Sequence, residues 1–307
     1  MPSTPSTSSP AAGLLQLLQA HFAVSNTLLP CGATVAVRQC GRRSAAPSIV
    51  LLHGISSGAA SWLHSALLLA QQHHVLAWDA PGYGSSTPLV QASPTAQDYA
   101  ARLGDMLQTL DISSCVLVGH SLGALIAAAY AANTVSAANA VSAATAQSAV
   151  TVRRLVLISP AGGYGAAGME GMANKQAQVR TERRSALHKL GVAGLAAQLP
   201  QRLLSSTASA ADRAWVQWNA ERMHAAGYLQ AVELLCNADL GRYTGLAMPV
   251  EVHCGDADVV TPPAQSAAWA AKLAAPYRAI LQAGHASPVE QPAAVAQLIA
   301  AAHKASV

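Results

Sequence analysis

Short, largely apolar runs alternate along the chain with longer stretches of helical periodicity. Runs of this kind predict strands at residues 48–52, 74–78, 115–118, 154–159, 250–254 and 278–281. The runs at 48–52 and 154–159 are expected to be buried strands of a parallel sheet. Residues 34–39 alternate polar and apolar side chains before Cys40-Gly41, which predicts an edge strand followed by a turn. The leucines of residues 13–24 are spaced for one helix face and predict a helix ahead of the first strand.

The alternation predicts an α/β fold with a mostly parallel sheet, and it stops at residues 164–245, where helical periodicity continues without a strand signal. An insertion here follows the carboxyl end of a strand, the edge at which open α/β sheets bind ligands. We therefore expect a helical cap at 164–245 that divides a core of residues 11–163 and 246–307. Residues 1–10 are expected to form a disordered tail, and the Ala/Ser-rich residues 133–150 a helix extension plus a surface loop.

Composition narrows the classes of protein that fit. Only 10% of the residues are charged and the net charge is +4, without a long run of Lys or Arg, so the basic footprint of a nucleic-acid-binding protein is missing. The five cysteines lack the spacing of a disulfide framework or a zinc cluster and fit a reducing cytosol. The sequence has neither a basic and apolar leader nor an apolar stretch of bilayer length. We expect a cytoplasmic protein that binds neither nucleic acid nor membrane.

Residues 115–124 carry the strongest functional signal. An apolar strand meets Gly119-His120-Ser121-Leu122-Gly123, and a small-residue helix follows at once. Strand, glycine-flanked turn and helix are the context of the G-x-S-x-G nucleophile elbow, which holds its serine in a strained conformation above the sheet. Ser121 is therefore the predicted nucleophile, and His120 is expected to point away from the reaction and to be structural.

A base and an acid that complement Ser121 follow later in the chain. A serine hydroxyl needs a histidine to take its proton and a carboxylate to fix the tautomer of that histidine. His285, in a Gly-His turn after the last predicted strand, is the predicted general base. Asp256 and Asp258 both follow the strand at 250–254. We take Asp258 as the acid and Asp256 as a turn carboxylate that accepts hydrogen bonds from local amides.

Two main-chain amides are expected to hold the developing oxyanion. The N–H of Leu122, which opens the elbow helix, supplies one of them. The loop after the strand at 48–52 supplies the other, from Ile55, and its glycines leave room for a carbonyl oxygen. His53 is interpreted as orienting this loop rather than as a second base, and Ser56 is a candidate substrate-binding residue.

The predicted cap offers two further sets of side chains, each with two interpretations. The large ones are Trp215, Trp218, Met223 and Tyr228. They either line an acyl pocket or form a small core within the cap. The arginine cluster comprises Arg180, Arg183 and Arg184. Its guanidinium groups either clamp a substrate carboxylate or belong to a solvated helix face, which is the interpretation favoured here. The chain shows no set of His, Cys and Asp residues with metal-ligand spacing.

Five motifs follow one another in a fixed order. They are L-L-H-G at 51–54, D-A-P-G-Y-G-S-S at 79–86, G-H-S-L-G at 119–123, G-D-A-D at 255–258 and G-H-A-S-P-V-E-Q-P at 284–292. With them the chain resembles the α/β-hydrolase superfamily from about residue 34 to residue 301. The resemblance implies a mostly parallel central sheet flanked by helices, with a helical cap inserted after the sixth strand. It also implies that the acid is the fourth residue of G-x-x-D, which is Asp258, and that Ile55 and Leu122 supply the oxyanion amides.

The second half of the chain is similar to a narrower group. The residues concerned are Gly227-Tyr228, 238–240, Met248-Pro249 and 261–263. They resemble those of 3-oxoadipate enol-lactonases and of meta-cleavage-product hydrolases, which cleave C–C bonds.

Together, the candidate catalytic residues and the resemblance predict a serine hydrolase that forms an acyl-enzyme on Ser121 and cleaves a small carboxylic ester or lactone. An intermediate in the degradation of aromatic compounds is one such substrate. The first alternative is a C–C bond hydrolase of a dienol ring-cleavage product that uses the same residues. The second is a non-catalytic member of the fold that binds a ligand or partner in the same pocket. We expect a small-molecule substrate, no metal or other cofactor, and a monomer or homodimer.

Overall fold

One eight-stranded sheet organises the chain in the computed structural model, which describes residues 10–139, 150–166 and 171–306. Its strands are β1 (Val24–Leu28), β2 (Thr34–Cys40), β3 (Ser48–Leu52), β4 (Val75–Trp78), β5 (Ser114–His120), β6 (Thr151–Ile158), β7 (Val250–Gly255) and β8 (Tyr277–Ile280). Their order across the sheet is β1-β2-β4-β3-β5-β6-β7-β8. From β4 to β8 all neighbours are parallel, whereas β2 pairs antiparallel with both β1 and β4.

The edge strand differs from the one expected. The prediction of an edge strand at residues 34–39 is wrong, because β1 pairs along the outer side of β2. Four of the five side chains of β1 are exposed, so the strand carries no apolar alternation by which its sequence could be recognised.

The central strands are buried on both faces, as their apolar runs predict. Val50 and Leu52 of β3 belong to the core on one face of the sheet, while Ile49 and Leu51 belong to the core on the other. Adjacent strand residues point to opposite faces, so a strand covered on both sides must be apolar at every position. The α/β expectation is confirmed by this arrangement.

Ten helices accompany the sheet within the described residues. They are α1 (Pro10–His21), α2 (Leu63–Leu69), α3 (Ala96–Thr109), α4 (Leu122–Asn139), α5 (Met172–Leu203), α6 (Ala210–Glu221), α7 (Ala225–Asn237), α8 (Pro263–Lys272), α9 (Ser287–Glu290) and α10 (Pro292–Lys304). Short 3₁₀ helices span Ala59–Trp62 and Leu240–Tyr243. The first turns of α3 and α6 are closed by capping boxes, Thr95 with Asp98 and Ser209 with Asp212.

Two of the expected segments lie partly outside the described residues. Of the expected tail, residues 1–9 lie outside the described residues, and Pro10 begins α1. Of the Ala/Ser-rich stretch, residues 140–149 lie outside them, and the part that is described continues α4 to Asn139. Between β6 and β7 the described chain forms α5, α6 and α7 and no strand.

The strand order creates a crevice at the carboxyl ends of β3 and β5. After β3 the chain forms β4 on one side, and it then returns to form β5 on the other side of β3. Such a switch point leaves the loops after the two strands diverging from one cleft. Leu52 is paired with Gly119, so the residues that follow each of them are neighbours in space.

Candidate active site

Ser121 occupies a strained turn between β5 and α4. Its φ is +53°, in the left-handed region that side-chain-bearing residues seldom adopt. The turn is held by main-chain hydrogen bonds, from Ser121 N–H to the Ile158 carbonyl at 3.0 Å and from Ala124 N–H to the Ser121 carbonyl at 3.1 Å. The predicted elbow therefore forms, with its strain compensated by backbone bonds on both sides.

The flanking glycines are required by close backbone approach. A Cβ on Gly119 would lie 2.5 Å from the Gly123 carbonyl oxygen, and a Cβ on Gly123 would lie 2.5 Å from the carbonyl oxygen of Leu52. No real Cβ contact is that short, so any larger residue would separate the strand from the helix or β3 from the elbow.

His285 and Asp258 meet after the last two strands. His285 Nδ1–H donates to Asp258 Oδ2 at 2.8 Å, and both side chains are buried. The other carboxylate oxygen accepts the main-chain N–H groups of Val260 at 2.8 Å and Thr261 at 3.0 Å. Burial alone would raise the pKa of Asp258, but the hydrogen bond from His285 and the bonds from the backbone hold that pKa well below its ordinary value. The carboxylate is thus ionised and fixed against the imidazole.

Asp256, the competing acid, has a different environment. It is exposed, and its carboxylate accepts the main-chain N–H of Ala283 at 3.2 Å. It makes no contact with the His285 ring among the hydrogen bonds of the described residues. Asp256 therefore links the loop after β7 to the loop after β8, instead of accepting the local amides that were expected for a turn carboxylate.

Three residues not singled out as site residues support the His285 turn. The Thr261 hydroxyl lies 2.9 Å from Asp258 Oδ2 and 3.2 Å from His285 Nδ1. His120 Nε2–H donates to the main-chain carbonyl of His285 at 2.8 Å, and Glu290 accepts the N–H of Gly284 at 2.8 Å. His120 was expected to be structural, and it contacts the turn that carries the predicted base.

His120 is held neutral. Its burial, together with the neighbouring His285, lowers its pKa to about 3. The two rings lie 5.0 Å apart between centroids, so a proton on one disfavours a proton on the other. A neutral His120 still has the one N–H that the His285 carbonyl accepts.

Ser121 and His285 line one cavity of about 170 Å³. The hydrogen bonds of the His285 side chain are made at Nδ1, and no hydrogen bond within the described residues joins Nε2 to Ser121 Oγ. In substrate-free structures such bonds are often long and tighten when a substrate binds.

The predicted oxyanion amides lie at this cavity. Ile55 and Leu122 both line it beside Ser121. In the part of the chain that is described, neither of their N–H groups has a hydrogen-bond acceptor. Two unpaired main-chain donors next to a serine hydroxyl are able to bind an oxygen that acquires negative charge.

The loop that carries Ile55 is fixed from below by side chains. His53 Nδ1–H donates to the Gly54 carbonyl at 2.8 Å, and Ala80 N–H donates to His53 Nε2 at 3.0 Å. These partners define the neutral Nδ1–H tautomer, and burial lowers the pKa of His53. The Gly54 carbonyl shares its peptide plane with the Ile55 N–H, so His53 orients that donor. The Tyr83 hydroxyl donates to the Ile55 carbonyl at 2.6 Å and holds the next peptide.

The four large residues of the helical segment lie away from this cavity. The residues that line it there are Arg183, Leu199, Arg202, Leu203, Val216, Asn219 and Leu235. Trp215 stacks on Trp218 with centroids 4.7 Å apart, and Met223 and Tyr228 are buried in the core. An acyl-pocket position is therefore wrong for these four, because their aromatic and apolar surfaces pack on one another and on the core. Of the loop candidates, Ser56 lines the cavity and His53 does not.

The arginine cluster divides between two surroundings. Arg180 and Arg184 form ion pairs with Glu233 at 3.0 and 2.7 Å. Arg183 instead lines the cavity, where its Nη1 donates to the Tyr228 hydroxyl at 3.3 Å. The three arginines therefore form neither a single clamp for a carboxylate nor a single solvated helix face.

Over residues 10–139, 150–166 and 171–306, no group of three or more His, Cys, Asp or Glu side chains is arranged to hold a metal ion. Nor does any described helix combine the length and apolar character that crossing a bilayer demands.

The sequence matches one family model over most of its length and individual curated proteins over a shorter stretch. The model of a family described as "Alpha/beta hydrolase family" matches residues 49–298. A curated relative, the (E)-2-((N-methylformamido)methylene)succinate hydrolase of Acinetobacter baylyi, is 35% identical over 78 residues, which are 25% of this chain and 29% of that protein. The matched stretches span less than a third of the length of the first curated relatives.

Solved structures match over nearly the whole chain. The enol-lactonase of Burkholderia xenovorans LB400 has a TM-score of 0.74 at 22% identity and covers 90% of this chain and 98% of its own. A thermophilic esterase of Thermogutta terrifontis has a TM-score of 0.73 at 18% identity and covers 92% and 99%. At identities this low the likeness is one of fold.

Proposed function

The chain belongs to the alpha/beta hydrolase family, and we propose that it is a serine hydrolase that cleaves a small carboxylic ester or lactone. The observation that carries the proposal is the strained Ser121 in the same cavity as His285, whose Nδ1 is held by the buried carboxylate of Asp258. Nucleophile, base and orienting acid follow the order in the chain that an elbow enzyme requires.

In the proposed reaction Ser121 Oγ attacks the carbonyl carbon of the substrate while His285 Nε2 takes the hydroxyl proton. The tetrahedral intermediate places its oxyanion at the N–H groups of Ile55 and Leu122. Its collapse breaks the C–O bond of the ester, and His285 returns the proton to the leaving alkoxide. In a lactone the leaving hydroxyl stays attached to the acyl group.

The second half repeats these steps with water. His285 removes a proton from a water molecule, which attacks the acyl-enzyme carbonyl through a second tetrahedral intermediate. Collapse breaks the bond to Ser121 Oγ, the proton returns to the serine, and a carboxylic acid leaves. Asp258 stabilises the imidazolium in both halves without accepting its proton.

The helical segment between β6 and β7 supports a cap function for residues 164–245. Leu199, Leu203 and Leu235 of this segment line the Ser121 cavity, which supports the proposal that the segment covers the site. A covered and partly apolar site limits the access of water to the reacting groups and strengthens the hydrogen bonds to the oxyanion. Names of similar proteins, an enol-lactonase and an esterase, agree with attack on an ester carbonyl.

The test is a panel of aryl esters, lactones and ring-cleavage dienols offered to the purified protein and to Ser121→Ala. We expect ester or lactone hydrolysis that falls about 10³-fold or more in Ser121→Ala. Ser85→Ala, an exposed serine outside the cavity, is the matched control and should keep full activity.

Two outcomes would redirect the proposal. Turnover of the dienols with the esters untouched would indicate the C–C hydrolase, with the same serine. Binding of ligands with no turnover of any compound would indicate a non-catalytic member of the fold.

A further inference from the structure

A kink in α5 brings two arginines to the Ser121 cavity. Arg183 lies in the first half of the helix and Arg202 in the second, and both line the cavity. In a straight α-helix their Cα atoms would be about 28 Å apart, far too distant to share a small pocket. The helix is broken at Gly191, whose φ of 65° and ψ of −179° belong to a region that essentially only glycine adopts.

These two guanidinium groups have no carboxylate partner in the described chain. The arginine ion pairs there use Arg154, Arg180 and Arg184. Arg183 donates only to the Tyr228 hydroxyl, and Arg202 makes no side-chain hydrogen bond to a described residue. No aspartate or glutamate is among the described residues that line the cavity. The cavity therefore presents two positive charges that the protein itself does not neutralise there.

We propose that Arg183 and Arg202 bind a carboxylate of the substrate, so that the enzyme acts on an ester or lactone whose acyl part carries a second, free carboxylate. This inference rests on the proposed hydrolase function. The planar guanidinium fork matches a carboxylate in bidentate fashion, and two such groups orient it more strictly than one. Leu199, Leu203 and Leu235 line the same cavity and supply apolar surface for the short carbon chain between the two ends.

The experiment compares two 4-nitrophenyl esters of glutaric acid that differ at the distal carboxyl group, which is free in the monoester and methylated in the diester. Rates without enzyme are subtracted, because the free carboxylate of the monoester can assist its own hydrolysis. The wild-type protein should favour the charged ester in kcat/KM by about 10-fold or more. Arg183→Gln and Arg202→Gln should each lower kcat/KM for the charged ester by about 10- to 100-fold, the value of a lost charge-assisted hydrogen bond. For the neutral ester each variant should stay within about threefold of wild type.

Lys189→Gln is the matched control. It removes one positive charge from the same helix at an exposed position outside the cavity, and it should leave the preference unchanged. Equal turnover of the two esters by wild type, with both rates abolished in Ser121→Ala, would overturn the carboxylate site and leave the hydrolase standing.

Calorimetric binding of free glutarate decides the point if neither ester is turned over. Weaker binding by at least about 10-fold in both arginine variants supports the site even though the hydrolase proposal then fails. Equal binding by wild type and by both variants overturns the site.

Discussion

Replacing Asp258 with asparagine removes one charge while changing the shape of the site little. Asp258 Oδ1 accepts two main-chain N–H groups, from Val260 and Thr261. An asparagine must keep its carbonyl oxygen on those donors, since its NH₂ group cannot accept a hydrogen bond. The NH₂ group then faces His285 Nδ1, which is 2.8 Å away in the wild-type chain.

The expected loss follows from the tautomer. A donor at position 258 forces Nδ1 to act as the acceptor and moves the imidazole proton to Nε2, where His285 can no longer take the proton of Ser121. Loss of the correct tautomer in a serine triad costs about 10⁴-fold in kcat. The fold should also be weakened, and the sign with pH is defined. The folded-state pKa of Asp258 is below the ordinary 3.8, so its ionised form stabilises the protein at neutral pH, and that contribution is lost as the pH falls through the lowered pKa.

The assay is kcat and kcat/KM for a neutral aryl ester at pH 7.5, with a denaturation curve for each variant. Asp256→Asn is the control. Asp256 is exposed and accepts a single amide at 3.2 Å, which an asparagine oxygen can also accept. Asp256→Asn should stay within about threefold of wild type. A folded Asp258→Asn with more than a tenth of wild-type activity, or a larger loss in Asp256→Asn, would refute the assignment of the acid.

Three further substitutions have defined expected outcomes. The pKa of His120 is about 3 in the folded chain against an ordinary 6.5, so the unfolded chain takes up a proton at a higher pH and the free energy of unfolding decreases as the pH is lowered below 6.5. At pH 5 this decrease is about 2 kcal/mol. Denaturation curves should show that His120→Gln loses that part of the pH dependence. Tyr83→Phe frees the Ile55 carbonyl and should lower kcat about 10-fold with KM within twofold, whereas a change in KM alone would argue against an effect on the oxyanion amide. Gly123→Ala drives a Cβ against the Leu52 carbonyl and should lower the free energy of unfolding by about 3 kcal/mol, while Gly13→Ala, with open space around it, should not; equal melting curves would contradict the packing argument.

The positions of the central strands along the chain could be predicted because β3, β4 and β5 are buried on both faces and are therefore almost wholly apolar. Residues 48–52 were predicted as a strand, and β3 spans the same residues. The edge strand β1 was missed for the complementary reason. The side chains of β1 are mostly exposed, so its sequence has no periodic apolar signal. It forms a strand because its backbone pairs with that of β2.

The candidate site was predictable where chemistry restricts residue type and position. Ser121, Asp258 and His285 each follow a recognisable strand, and parallel strands bring their carboxyl ends to one edge of the sheet. The supporting contacts of Tyr83 and Thr261 were not predictable, because a tyrosine or threonine is common and its partner is fixed only by the tertiary fold.

The helical segment was least predictable. Arg202 attracts no attention in the sequence, and it reaches the cavity only because α5 turns at Gly191. A glycine such as Gly191 weakens a helical pattern, but neither the direction of the turn nor the partner of each arginine is encoded locally. Trp215 and Trp218 show the converse. Their three-residue spacing places them on one helix face, where they stack on each other instead of facing a substrate.

The central claim is that Ser121 is the nucleophile. The most direct measurement is covalent labelling with an aryl phosphonate, followed by intact mass and peptide mapping. One adduct per chain on Ser121, with hydrolysis lost in proportion to labelling and no adduct in Ser121→Ala, is the predicted result. An adduct on another residue, or esterase activity that survives complete labelling of Ser121, would contradict it.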